Sequence, residues 1–491
     1  MTIADEADQL LALMRAGLSA EDAFLALYSF IDTSPSGRFG WFPLGDGEVF
    51  GVECDRQIRQ WSTALRASIS QGLPVPEIEK LSNLDFVLGA IVKNGVISPS
   101  DSKSLVIALR TLDSAFAGVN VADSLIDTDH PGLVRLRQNL WKGRPLFHSA
   151  TLRAYPKPMR QSAPERRGQS RLTELLDVLT VVRNNEHLDV EVRMATSVQK
   201  IGHEGFRCIG IIPAINHSSE LKWAQEPNDR YSIQEHADAA AVHARVRAAL
   251  EALIASGAQI VVLPELVSGE ALIRMLKSYL CEQAGKGRPT PALLLAGTYM
   301  AKSGDDLFRR NRAIVLDGEG NELWRQDKMH AYRFSACDQA KTGHPLGQDK
   351  LVDRDEDICL EPRRLIVVDI APSQRLVVLT CEDFLQDDPH RPAIADLFVT
   401  TLLVPIMAPA RPEPPSQGWV RDAAMNYVRH PGATSVVANS GTLLMNEDEQ
   451  RQWWQLGDVL SAPRVTPVWE PIATPEGGPP MAWLVKLDRN V

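Results

Sequence analysis

The sequence predicts two differently built parts, a mainly helical region over residues 1–200 and an α/β domain over residues 206–491. Two patterns carry this expectation. Up to about residue 130, apolar residues recur at the three- and four-residue spacing of amphipathic helices. After Gly205, apolar runs of four to eight residues bounded by Gly, Pro or Asp alternate with helical stretches, as buried strands do in a layered α/β domain. A chain of 491 residues with 44% hydrophobic and 23% charged residues has material for sizeable cores in two to four domains, which excludes wholesale disorder.

In the first part, Leu10, Leu11, Leu13 and Met14 lead to Leu18, then to Phe24, Leu25, Leu27 and Tyr28 on one helix face, with Ser19 as a cap and Asp22 three residues on. Further helices are expected around 55–71, 78–93 and 100–116, the last announced by Ser98-Pro-Ser-Asp101. From 155 to 171 the composition shifts to Pro156, Pro158 and Pro164 among Lys157, Arg160, Arg166, Arg167 and Arg171. Such a stretch neither propagates a helix nor pairs as a central strand, so a solvated linker is expected rather than a basic groove.

The domain boundary is expected between Gln199 and Phe206. Beyond it, strands are predicted at 208–212, 259–263, 293–298, 313–316, 365–370, 376–380 and 397–404, and a helix at 233–255 with Val242, Val246, Leu250 and Leu253 on one stripe.

Charge and cysteine usage narrow the function. Lys plus Arg total 52 against 62 for Asp plus Glu, a net charge of −10 that has the wrong sign for broad capture of nucleic acid. The first eight residues are acidic where a secretory peptide needs bases, and no stretch reaches the roughly 18 apolar residues of a membrane span. A soluble, cytoplasmic protein without a membrane partner is therefore expected. The six cysteines, at 54, 208, 281, 337, 359 and 381, form neither a CxxC pair nor a zinc spacing, so neither a disulfide framework nor a metal site is suggested.

Three segments each bring a reactive side chain to a strand end, where catalytic groups tend to sit in α/β folds. Ile260-Val-Val-Leu-Pro-Glu-Leu266 delivers Glu265, a candidate general base whose alternative is to cap a following helix at 267–280. Asn321-Glu-Leu-Trp-Arg-Gln-Asp-Lys-Met-His330, after the Asp317-Gly-Glu-Gly320 turn, delivers Lys328, able to stabilise an oxyanion unless it is a surface charge. Arg375-Leu-Val-Val-Leu-Thr-Cys-Glu-Asp-Phe384 delivers Cys381 to a strand-to-helix turn, where backbone N–H groups and a cation are expected to lower its pKa.

Together these segments resemble the nitrilase, or carbon–nitrogen hydrolase, superfamily, whose signature is a Glu, Lys and Cys triad in that order. Arg310-Asn-Arg-Ala-Ile-Val-Leu-Asp-Gly318 resembles the family's Asn-containing strand and Gly turn. Trp419-Val-Arg-Asp-Ala-Ala-Met-Asn426 and Val436-Val-Ala-Asn-Ser-Gly441 resemble the helix and strand after the nucleophile. The likeness spans roughly 206–491. It implies a four-layer αββα sandwich, Glu265 as base, Lys328 as electrostatic stabiliser, Cys381 as nucleophile and the Glu382 backbone N–H in the oxyanion hole. No metal or organic cofactor enters the implied scheme.

Relatives often carry a second glutamate soon after the lysine. Here that group is open among Asp338, Glu356 and Glu361, the last two in a long polar insert at 340–363. The resemblance also implies a homodimer built on the helix from Pro389 and the segment near Trp419. The function expected is hydrolysis of a small-molecule amide or carbamoyl C–N bond through a thioester, ahead of nitrile hydrolysis. The alternatives are a glutaminase feeding ammonia to a partner, and a catalytically degenerate scaffold. The helical region has no counterpart in the minimal family domain and is a candidate surface for a protein partner.

Overall fold

A computed structural model describes residues 3–15, 20–32, 56–63, 65, 83–115, 152–156, 179–183, 187–195, 206–302, 309–342, 352–371, 374–408, 419–429, 433–441, 457–460, 465–473 and 480–489. The chain divides into two compact units, Met1–Asn185 and Glu186–Val491.

In the first unit, helices α1 (Ile3–Arg15), α2 (Ala20–Asp32), α3 (Leu84–Asn94) and α4 (Pro99–Ala115) share one apolar core. On α1, Ala7, Leu10, Leu11 and Met14 are buried, the stripe expected of an amphipathic helix. The start signal before α4 works as a capping box with Pro99 at the first helical position: Ser98 N–H donates to Asp101 Oδ2 at 2.9 Å, and Asp101 N–H donates to Ser98 Oγ at 3.2 Å. Residues 56–63 are helical, within the range expected around 55–71. The unit also contains an antiparallel pair, β1 (Leu152–Pro156) and β2 (Leu179–Arg183), so Tyr155 and Pro156 end a strand rather than begin a linker. The rest of the Pro/Arg stretch, and the Ser19 cap, lie outside the described residues.

The second unit begins earlier than the expected boundary, because β3 (Asp189–Met194) pairs in parallel with the strand Arg364–Ala371. Its strands in chain order are β4 (Cys208–Ile211), β5 (Leu221–Glu226), β6 (Arg230–His236), β7 (Ile260–Val262), β8 (Leu293–Lys302), β9 (Arg309–Asp317), β10 (Glu322–Asp327), β11 (Arg333–Phe334), β12 (Arg354–Glu356), β13 (Arg364–Ala371), β14 (Gln374–Val378), β15 (Thr401–Ile406), β16 (Thr434–Asn439), β17 (Gly457–Leu460), β18 (Val465–Ile472) and β19 (Ala482–Arg489). They build a seven-stranded sheet in the order 10-9-8-7-4-19-18, a six-stranded sheet in the order 17-16-15-14-13-3, and a small sheet in the order 11-12-6-5. The helices are α5 (Ala239–Ala255), α6 (Glu270–Gly285), α7 (Ala336–Thr342), α8 (Glu382–Leu385), α9 (Arg391–Asp396) and α10 (Trp419–Arg429).

Alternation along the strands sorts the cores. Ile260 and Val262 of β7, Leu293 and Leu295 of β8, and Ala313 and Val315 of β9 pack against Val368, Leu376, Leu403 and Val436 of the other large sheet. Their neighbours Val261, Leu294, Ile314 and Leu316 face the opposite way, onto Val246, Leu250 and Leu253 of α5 and Leu272 and Leu276 of α6. Strands apolar on both faces, as read from the sequence, are what such burial requires.

Two expected elements shift. The helix expected from Ile233 starts at Ala239, capped by Asp238 Oδ1 accepting Ala241 N–H at 3.0 Å, because Tyr231 and Ile233 belong to strand β6 paired with β5. The strand expected at 397–404 starts at Thr401, since Leu397 closes α9. No described helix is long and apolar enough to cross a membrane.

Candidate active site

Glu265 stands just beyond β7, after Leu263 and Pro264, and is 2% exposed. The turn is clasped to β8: Thr298 N–H donates to Pro264 O at 3.2 Å, and Leu266 N–H to Thr298 Oγ1 at 2.9 Å. Gly297, at φ +74°, makes this approach possible, because a Cβ there would lie 2.7 Å from Pro264 O. Glu265 does not cap α6, which starts five residues later at Glu270.

Lys328 lies one residue past β10, and its N–H donates to Asn311 O in β9 at 2.8 Å. Its ammonium sits between two carboxylates, donating to Glu265 Oε1 at 2.8 Å and to Glu356 Oε2 at 2.7 Å. Asn311 joins the same two groups, its Nδ2 donating to Glu265 Oε1 at 2.8 Å and Glu356 Oε1 at 2.7 Å. Met407 N–H, just past β15, donates to Glu265 Oε2 at 3.1 Å.

Of the three carboxylates left open by the sequence, Glu356 is the one hydrogen-bonded to Lys328. Asp338 accepts the Ser335 hydroxyl at 2.7 Å at the start of α7, and the Glu361 side chain is 70% exposed beside Arg363. The polar insert supplies Glu356 through β12, which pairs in parallel with β6 and places Glu356 opposite Tyr231. The neighbouring Asp357 anchors this strand to Arg309 Nη1 at 2.8 Å and Arg230 Nη1 at 3.3 Å.

Cys381 follows β14 and opens α8 with φ 48° and ψ −102°, a positive φ that a non-glycine residue adopts only under constraint. Its N–H donates to Pro405 O at 3.0 Å. Cys381 is 6% exposed, and its thiol lies near enough to the Glu265 carboxylate, the Lys328 ammonium and the Met407 N–H for all three to act on its pKa. Glu382 supplies the first N–H of α8, and first-turn donors have no acceptor within their helix. The structure thus brings Glu265, Lys328 and Cys381, far apart in the chain, into one buried cluster.

The electrostatics define resting states. Burial, reinforced by Glu356, raises the Glu265 pKa, while Lys328 opposes the rise. Burial alone would lower the Lys328 pKa, but Glu265 and Glu356 outweigh it and hold the ammonium charged. For Cys381 the sequence expectation is corrected: burial and the Glu265 carboxylate push the thiol well above its ordinary value, against the pull of Lys328. The sulfur therefore rests protonated beside a base. A buried thiol near a carboxylate needs general-base assistance rather than a preformed thiolate.

Of the other groups in the cluster, the Met407 N–H has no signal in the sequence, Asn311 stands in it only within a strand motif, and Glu356 only as one of three open candidates. Tyr231 is also buried there, its hydroxyl pKa raised by burial and by Glu356. A cleft of about 420 Å³ opens alongside, lined by polar His330, Glu356, Glu382 and Gln386 and by apolar Ile358 and Leu360. Elsewhere Cys281 and Cys337 are exposed, and Cys208 and Cys359 are half-buried.

No protein-family model and no curated protein matches the chain. Among solved structures, an amidase from Nesterenkonia sp. AN1 with acrylamide added at its active-site cysteine is similar at 17% identity and TM-score 0.35, over 57% of this chain and 93% of that one. A mutant of that amidase, described as from the nitrilase superfamily, is similar at 16% identity and TM-score 0.34, over 58% of this chain and 92% of that one.

Proposed function

We propose that the second unit hydrolyses a C–N bond of a small amide or carbamoyl compound through a thioester on Cys381, within a four-layer αββα fold of nitrilase type. The observation that supports this most is the buried Glu265 carboxylate, which accepts the Lys328 ammonium at 2.8 Å and the Met407 N–H at 3.1 Å, with the buried Cys381 thiol near enough for each to shift the other's pKa.

Each step follows from that placement. As the sulfur attacks the substrate carbon, Glu265 takes the thiol proton, an S–C bond forms, and the carbonyl π pair moves to oxygen. The resulting oxyanion meets the Lys328 ammonium and the Glu382 N–H, charges and dipoles already in place before the reaction. Collapse of the tetrahedral species breaks the C–N bond, and Glu265 returns the proton to the leaving nitrogen. Water then attacks the thioester as Glu265 takes its proton; collapse sends the S–C pair to sulfur, Glu265 protonates the thiolate, and the carboxylic acid leaves. Glu356 and Asn311 keep Lys328 and Glu265 in register throughout. The raised pKa of Glu265 suits it to both directions of transfer.

The test is ammonia release from a panel of simple amides, carbamoyl amino acids, nitriles and glutamine, run beside Cys381→Ala. Release that the substitution abolishes supports the reading, and its distribution over the panel identifies the acyl and amine parts. Ammonia release that survives in Cys381→Ala sinks it.

A further inference from the structure

We propose that Asp383 is a positioning residue whose single carboxylate ties the segment carrying Lys328 to the turn carrying Cys381, and so fixes the distance between ammonium and sulfur. This rests on Cys381 being the reactive group.

Asp383 is fully buried at the second position of α8. A capping aspartate would sit before the helix and accept N–H groups of its own first turn. Asp383 instead reaches across the site to a segment more than fifty positions away in the chain. Its Oδ1 accepts Met329 N–H at 3.0 Å and faces His330 Nδ1 at 2.9 Å. Its Oδ2 accepts Met329 N–H at 3.2 Å and Thr380 N–H at 3.3 Å. Met329 directly follows Lys328, and Thr380 directly precedes Cys381. The tie is reciprocal on the nucleophile side, since Asp383 N–H donates to Thr380 O at 3.0 Å.

Two further features fit this role. The positive φ of Cys381 persists only where the surroundings over-determine it, and the bonds of Thr380 N–H to Asp383 and of Cys381 N–H to Pro405 bracket that residue. His330 is held from both sides, its Nε2 facing Asp388 O at 3.0 Å, so Asp383 also sets a ring on the cleft wall. Hydrogen bonds to a buried carboxylate are the strong kind, which suits them to holding two segments in register.

The experiment reads Cys381 directly and needs no turnover. The full chain is alkylated with iodoacetamide across neutral to alkaline pH, and each cysteine-bearing peptide is quantified by mass spectrometry. In Asp383→Asn, an NH2 group replaces one acceptor oxygen and turns a donor toward an N–H. Cys381 labelling at neutral pH is then expected to slow about tenfold to a hundredfold. Its pH profile moves upward, because Lys328, which holds the thiol pKa down, loses its fixed place. Loss of a nearby negative charge alone would move the profile downward, so the sign separates positioning from plain electrostatics. Exposed Cys281 and Cys337 label at the parent rate if the fold is intact.

Should Asp383→Asn not fold, the pair His330→Ala and His330→Gln decides: the first slows Cys381 labelling and the second, retaining a donor toward Asp383, restores it. Labelling of Cys381 within about twofold of the parent, or a profile moved downward, overturns the proposal and leaves the hydrolase reading intact. Slowed labelling in a chain that hydrolyses no member of the amide panel keeps Asp383 as the clamp and removes the hydrolase reading instead.

Discussion

Replacing Lys328 with Met keeps the apolar stem and deletes the charge between two carboxylates. Glu265 and Glu356 are each 2% exposed, and both accept from Asn311 Nδ2, so the substitution leaves two buried acids facing one another with an amide between them. Removing one partner of a buried ion pair costs about 3–5 kcal/mol. The second unit should lose that much stability at alkaline pH, where the Glu265 carboxylate is left without its cation. The pH dependence has a definite sign. Burial and Glu356 raise Glu265 in the parent and Lys328 opposes them, so without the lysine the folded-state pKa rises further above the unfolded value. The folded chain then holds protons that the unfolded chain releases, stability falls as pH rises, and the deficit shrinks as pH falls through the raised pKa. Urea unfolding of parent and Lys328→Met at mildly acidic and at alkaline pH measures both quantities. The double substitution Lys328→Met/Glu356→Gln leaves one buried acid instead of two and should recover part of the loss. Parent-like stability of Lys328→Met at alkaline pH would refute the buried-triad reasoning, as would a double variant weaker than the single.

Two other outcomes follow from the same cluster. Glu356→Gln should lower kcat roughly tenfold to a hundredfold by loosening Lys328, and should move the acidic limb of the kcat/KM profile to lower pH, because the charge that raises Glu265 is gone; an unmoved or raised limb would contradict it. Gly297→Ala should cost at least about 1–2 kcal/mol for an alanine at positive φ, with further loss because its Cβ meets Pro264 O at 2.7 Å. Thermal unfolding and kcat should fall together in that variant, since the displaced carbonyl belongs to the turn that aims Glu265.

What the sequence made legible is local. Ile260-Val-Val-Leu263 and Leu376-Val-Val-Leu379 are apolar on both faces, so both strands and the polar residues at their ends, Glu265 and Cys381, could be read directly. Lys328 was legible from the hairpin before it, whose turn needs Gly320 at φ +84° because a Cβ there would lie 2.4 Å from Lys277 O. Glu356 could be named only as one of three candidates, because β12 has three residues, too few to show a period, and its place is set by parallel pairing with β6 more than a hundred residues earlier. The expected helix reaches back to Ile233 for a related reason: strand β6 runs nearly into α5, and the Ala-rich sequence that follows extends the helical pattern backward. The direction of the Cys381 pKa is not legible in the sequence because a strand-to-helix turn implies N–H donors, whereas burial and the nearby Glu265 carboxylate appear only once the chain is folded.

The central claim is that Cys381 carries the acyl group. Its most direct test is mass spectrometry of protein quenched in acid while it turns over the amide that releases ammonia fastest. The account predicts the acyl mass on the peptide containing Cys381, discharged by hydroxylamine and missing from Cys381→Ala. An acyl mass on any other residue, or steady release of acid with Cys381 unmodified and replaceable, would contradict it.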